Sequence, residues 1–94
     1  MQQPKQPRRE APFNAALLVF FAEYHDEYGF APTIREMCAA CAISSTSVAS
    51  YQLRHLARQG YLKRTHPERT IWVLTEDAYQ YVSRQREMQH AHAN

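Results

Sequence analysis

The sequence predicts a mainly α-helical fold with one small β-hairpin: three helices, two short strands and an extra C-terminal helix. Three observations carry this. Apolar residues recur at helical spacing through three separate stretches. Turn or capping residues stand between those stretches. "YLKR" and "TIWVL", both rich in strand-favouring residues, flank the polar segment "THPER".

Residues 1–11 carry two prolines, three glutamines and no apolar period, and read as a disordered arm. Pro12 suits the first turn of a helix. Phe13, Leu17, Phe20, Phe21, Tyr24 and Tyr28 then give a wide apolar arc expected in the core, and Gly29 can end it. Pro32 disfavours helix at Ala31, so "FAPT" is a connector. Thr33-Ile34-Arg35-Glu36 has the spacing of a capping box. A second helix of about Ile34 to Cys41 follows, with Ile34, Met37, Cys38 and Cys41 inward. "AIS" makes a tight turn, Ser44 or Ser45 caps a third helix, and Gly60 ends it. In the hairpin, Pro67 marks the turn. Thr75 caps a last helix from Glu76 to about Met88 or residue 89, and 90–94 should fray. Domain bounds are then 1–11, 12–74, 75–89 and 90–94.

The third helix, "SSTSVASYQLRHLARQG", has two unlike sides. Val48, Ala49, Leu53, Leu56 and Ala57 form an apolar stripe. Ser47, Ser50, Tyr51, Arg54 and Arg58 form the other face, which holds no acid. Tyr51, two residues from Leu53, should point away from the core. Between Ser44 and Thr70 the cations Arg54, Arg58, Lys63, Arg64 and Arg69 meet Glu68 alone, whereas both flanks are slightly acidic. A basic zone concentrated in this way is the footprint of a nucleic-acid surface. A short second helix turning tightly into a basic third helix and a hairpin describes a winged helix-turn-helix. A helix of about 14 residues is roughly 21 Å long and 10–12 Å across, which fits a major groove roughly 12 Å wide.

"APTIREMCAACAISSTSVASYQLRHLARQGYLKR" resembles the N-terminal DNA-binding domain of LexA repressors, through "PT.RE" opening the second helix, the gapless spacing into the third, and "L..LAR.GYL". The resemblance covers about Asn14 to Leu74. It implies a winged-helix fold, operator binding by the third helix and dimeric repressors. Carried over residue by residue, it puts base contacts on Ser45, Ser47, Val48, Ser50 and Tyr51. The family commonly has Asn and acidic residues where Ser47, Ser50 and Tyr51 stand, so a different operator is expected. Ala42 stands where the family often has Gly. LexA repressors also carry a self-cleaving peptidase domain with the main dimer interface. Ninety-four residues leave no room for it, so self-cleavage is not expected and a dimer would need another contact.

The expected function is therefore sequence-specific binding of double-stranded DNA by a transcriptional repressor. Ser45, Ser47, Ser50, Tyr51 and Arg54 would read bases. Thr33, Arg35, Arg58 and the wing residues Arg64, His66 and Arg69 would meet the backbone. Ala78, Tyr81 and Val82 on the last helix either dock on the first helix or pair two copies in a homodimer. Cys38 and Cys41 lack a second ligand pair and read as packing residues, against a redox pair or a metal site. No cofactor is implied, and no nucleophile–base motif points to an enzyme. "AALLVFFA" is too short to span a membrane and runs straight into Glu23, so neither an anchor nor a signal peptide is expected and the compartment is cytoplasmic. The rival readings are a winged-helix protein-interaction module and an accessory, non-specific DNA binder of a mobile element.

Overall fold

The computed structural model describes residues 10–65 and 71–93, the side chains of 89–93 excepted. Its elements are α1 (Ala15–Tyr28), α2 (Ile34–Cys41), α3 (Thr46–Arg58), β1 (Leu62–Arg64), β2 (Trp72–Leu74) and α4 (Glu76–Ala93). This is a winged helix-turn-helix with an added helix. The strands pair antiparallel, Leu62 with Leu74, Lys63 with Val73 and Arg64 with Trp72. One core joins all the elements. Leu17, Leu18 and Phe21 of α1, Met37 of α2, Leu53 and Leu56 of α3, Leu62 and Leu74 of the hairpin, and Ala78 and Val82 of α4 are all buried in it.

Helix α1 starts later than its sequence suggests. Asn14 is the N-cap, its side chain accepting from the Leu17 N–H, and Pro12 is buried two residues before it. An Asx cap satisfies a donor that Pro12 cannot, so the cap sets the start. Phe13 and Tyr28 are not core residues; they are 48% and 56% exposed. Gly29 closes the helix at φ 84°, its N–H donating to the His25 carbonyl at 2.8 Å.

The capping box at α2 is complete. The Thr33 hydroxyl accepts from the Glu36 N–H at 3.1 Å, and the Thr33 N–H donates to Glu36 Oε1 at 2.8 Å. Tyr24 of α1 donates its hydroxyl to Glu36 Oε2 at 3.0 Å, so the cap also ties α2 to α1. The Thr33 N–H, then Tyr24, hold the Glu36 carboxyl below its ordinary range. Desolvation, then Glu36 itself, push the Tyr24 phenol up. The turn into α3 passes through Ala42 at φ 56°, ψ 44°, a left-handed conformation. The Ala42 N–H and the Ile43 N–H both donate to the Cys38 carbonyl, which holds the turn closed.

Thr75 closes the base of the hairpin. Its hydroxyl donates to the Gly60 carbonyl at 2.6 Å and its N–H to the Tyr61 carbonyl at 3.1 Å. The same hydroxyl oxygen accepts from the Ala78 N–H, capping α4. The apolar stripe of α4 is used within the chain: Ala78 and Val82 are buried, and Tyr81 packs edge-on to Tyr61. That answers the choice the sequence leaves for this stripe in favour of the chain's own core. Arg86 and Asp26 add a surface ion pair at 3.1 Å, both side chains about half exposed, which contributes little. The helix runs to Ala93, past the expected end near residue 89. Gln, His and Ala contain no breaker, so nothing stops it there. The expected arm of 1–11 is also shorter, because Glu10 and Ala11 are bonded to the end of α3. Residues 1–9 lie outside the described residues.

Two expectations follow. A left-handed alanine costs roughly 1–2 kcal/mol against glycine, offset in part by the looser unfolded chain of the glycine variant. Ala42→Gly should therefore stabilise the fold by about 0.5 kcal/mol, read as a higher urea midpoint. Because the Glu36 carboxyl titrates lower folded than unfolded, its contribution is whole above the ordinary glutamate range and is lost as pH falls through the lowered value. Glu36→Gln should flatten the acid side of a Tm-against-pH curve while lowering Tm at neutral pH.

Candidate nucleic-acid interface

Burial of Ala49, Leu53 and Leu56 fixes how α3 is rotated. Ser47, Tyr51, Arg54 and Arg58 are thereby turned to solvent along one face. Val48 is 38% exposed and lies off the buried seam in which the apolar stripe puts it. Ser50 is half-buried at the edge of the face. Ser45 is the N-cap. Its hydroxyl oxygen accepts from the Val48 N–H at 3.2 Å, which leaves its O–H free to donate outward. The helix start combines small side chains with unsatisfied backbone N–H groups, a setting that favours anions.

Toward its C-terminus the face runs into a groove against the hairpin. Arg54, Ala57, Arg58, Leu62, Lys63, Arg64 and Trp72 line about 410 Å³. Four cations and, among the described residues, no acid surround this space. The Arg64 guanidinium lies over the Trp72 ring, 5.4 Å from its centroid, which fixes its stem while leaving the charge exposed. Lys63, counted in the basic zone of the sequence but given no contact role there, lines the groove with these cations. Thr33 and Arg35 are exposed at the start of α2, outside this groove, and the Thr33 hydroxyl is already engaged in the capping box. His66 and Arg69 lie outside the described residues.

The opposite flank of α3 is held by the segment before α1. Gln59 accepts from the Phe13 N–H at 2.7 Å through Oε1. Its Nε2 donates to the Ala11 carbonyl at 2.9 Å and to Glu10 Oε1 at 3.3 Å. Tyr61 donates its hydroxyl to the Glu10 carbonyl at 2.6 Å, and Asn14 donates to Gln52 Oε1 at 2.6 Å. The Phe13 ring stacks on His55, centroids 4.0 Å apart and planes 10° apart, and meets Tyr51 edge-on at 6.2 Å. Residues 10–14 thus form a strap laid along α3. Nothing in the sequence marks it, since its contacts span 38 to 51 positions.

Cys38 and Cys41 are free thiols, both half-buried. The Cys38 thiol donates to the Ser45 carbonyl at 3.5 Å, beside the cap of α3. Burial, then the neighbouring Cys38, push the Cys41 thiol up, which keeps it protonated and a poor ligand. Among the described residues no group of three or more His, Cys, Asp or Glu could hold a metal, and no helix is long and apolar enough to cross a membrane.

A family model described as the LexA DNA binding domain matches residues 13–70. The chain is 38% identical over 58 residues to the LexA repressor of Limosilactobacillus fermentum, covering 62% of this chain and 28% of that one. It is 44% identical over 48 residues to the LexA repressor of Roseiflexus sp., covering 51% and 22%. With the LexA repressor of Caldicellulosiruptor saccharolyticus the identity is 33% over 64 residues, covering 67% and 32%. The chain thus spans between a fifth and a third of the length of these relatives. No solved structure matches it.

Gln59 carries three of the bonds that hold the strap. Gln59→Ala should cost about 1 kcal/mol, the net worth of exposed hydrogen bonds, by urea denaturation. It should also speed amide exchange at Phe13 more than at residues of α2.

Proposed function

Because the chain belongs to the LexA DNA-binding domain family, we propose that it is a sequence-specific binder of double-stranded DNA that acts as a transcriptional repressor, with α3 as the reading helix. One observation carries this: a continuous exposed surface that holds no acid among the described residues, running from the small residues at the start of α3 into the four-cation groove beside the wing. Such a surface suits a polyanion along its whole length, and a carboxylate anywhere on it would be repelled by phosphate.

The roles divide by position. Ser45, Ser47, Val48, Ser50 and Tyr51, at the narrow start of α3, approach base edges. Serine hydroxyls bond either base type, so they specify weakly alone, and Arg54 supplies the stronger donor. Arg58, Lys63 and Arg64 meet phosphates, as do Thr33 and Arg35. His66 and Arg69 join them on the sequence reading alone. Lys63 and Arg64 add charge at a second point on the duplex, which orients the domain. If two copies pair through α4, its inner stripe is already occupied. Pairing would fall on the outer side, which carries Tyr79, Gln80, Ser83, Arg84 and Glu87.

Fluorescence anisotropy on duplex DNA at two salt concentrations tests the reading, with circular dichroism for folding. Ser47→Glu should nearly abolish binding while the fold stays intact, because the side chain is exposed. Arg54→Ala should cost about 1–3 kcal/mol and relax preference at one base pair. Arg58→Ala should weaken all sequences alike and reduce the salt slope by about one. Wild-type affinity in both Ser47→Glu and Arg54→Ala would remove α3 from the DNA surface and favour a protein-interaction role.

A further inference from the structure

Phe13 is the anomaly of this surface. Its register with α1 belongs to the core arc, yet 48% of it is exposed, and it lies against α3 instead. It is also fixed in place. Its backbone N–H donates to Gln59 at 2.7 Å, the next residue is bonded to Gln52, and its ring is backed by His55 at 4.0 Å. Tyr51, 46% exposed, meets it edge-on, so the two rings form one rigid apolar step beside the polar face of α3.

We infer that Phe13, although outside α3, is a specificity-determining residue that receives the C5-methyl group of a thymine. This rests on the DNA-binding reading above. The ring adjoins Tyr51, in the middle of the proposed reading face, on the flank of α3 opposite the cationic groove, so a duplex seated along that face would have the ring on one border and the cations on the other. On a major-groove floor the apolar group offered by base edges is the thymine methyl. An exposed aromatic ring held in one orientation meets it without further loss of side-chain freedom. The strap gives the ring its position: Gln59 holds the backbone at Ala11 and Phe13, Gln52 holds the Asn14 side chain, and His55 backs the ring.

The experiment uses the full chain and a duplex enriched by that chain from a random pool. Each thymine is replaced in turn by uracil, which removes the methyl and nothing else. Wild type should lose about fourfold in affinity at one position, the worth of one methyl withdrawn from water. Phe13→Ala should bind the thymine and uracil duplexes equally there, at the affinity wild type has for uracil. Phe13 is no part of the buried core, so the variant should keep the wild-type dichroism spectrum. Phe13→Gln, which keeps length but presents an amide, is the second variant and should behave likewise. Discrimination retained in both variants, or no sensitivity at any thymine in wild type, would overturn the assignment. A uniform loss on every duplex with discrimination intact would put the ring against the sugar–phosphate chain and overturn it too. If wild type enriches no duplex, the DNA-binding reading itself falls, a result separate from the others.

Discussion

The rotation of α3 about its own axis is the constraint on which the rest depends. Ala49, Leu53 and Leu56 are withdrawn from water completely. Each buried leucine contributes roughly 1.5–3 kcal/mol. Turning the helix by one residue, about 100°, would bring Leu56 toward water and carry Arg54 toward the core. Neither change is tolerable, since a buried unpaired guanidinium is more costly than the leucine burial it displaces. Once that rotation is set, the outward positions of Ser47, Tyr51, Arg54 and Arg58 follow without further instruction. The exposed polar face is thus specified by its opposite side.

Two polar devices at either end of α3 complement the seam. At its start, the turn through Ala42 and the Ser45 cap fix where the helix begins relative to α2. At its end, Gln59 and Tyr61 bind the strap while Thr75 binds Gly60. These bonds are short, and several lie at the surface, where each contributes little to stability. Their effect is geometric: they set which groups border the exposed face of α3. Phe13 is there because Gln59 offers a partner to its backbone.

What could be read in the sequence divides along contact range. The Thr33–Glu36 box was legible because its partners are three residues apart, and the seam of α3 because 3.6-residue periodicity is local. The hairpin was legible in its strand-favouring residues on either side of a turn, and it pairs the buried Leu62 with Leu74. The cationic face was legible as composition. Phe13 was misread because helical spacing put it in register with Leu17 and Phe20, and only the N-cap at Asn14 shows that the helix has not yet begun. Val48 sat at the border of the apolar stripe, where periodicity alone leaves the side undecided. The strap was invisible, because glutamines at 52 and 59 carry no mark of a partner about 40 positions away. The end of α4 was placed too early because a run without breakers has no stop signal of its own.

The Thr75 clasp has a consequence for what this scaffold can absorb. By tying Gly60 and Tyr61 to the first residue before α4, it closes the neck of the hairpin independently of anything beyond the strands. Both ends of the excursion are anchored to the same few atoms, so a change in length between Thr65 and Ile71 would not be transmitted to the helices. The loop-closure cost of such an insertion grows only with the logarithm of its length. The wing therefore behaves as a cassette. Its length or charge can be changed between Thr65 and Ile71 while the core keeps its register.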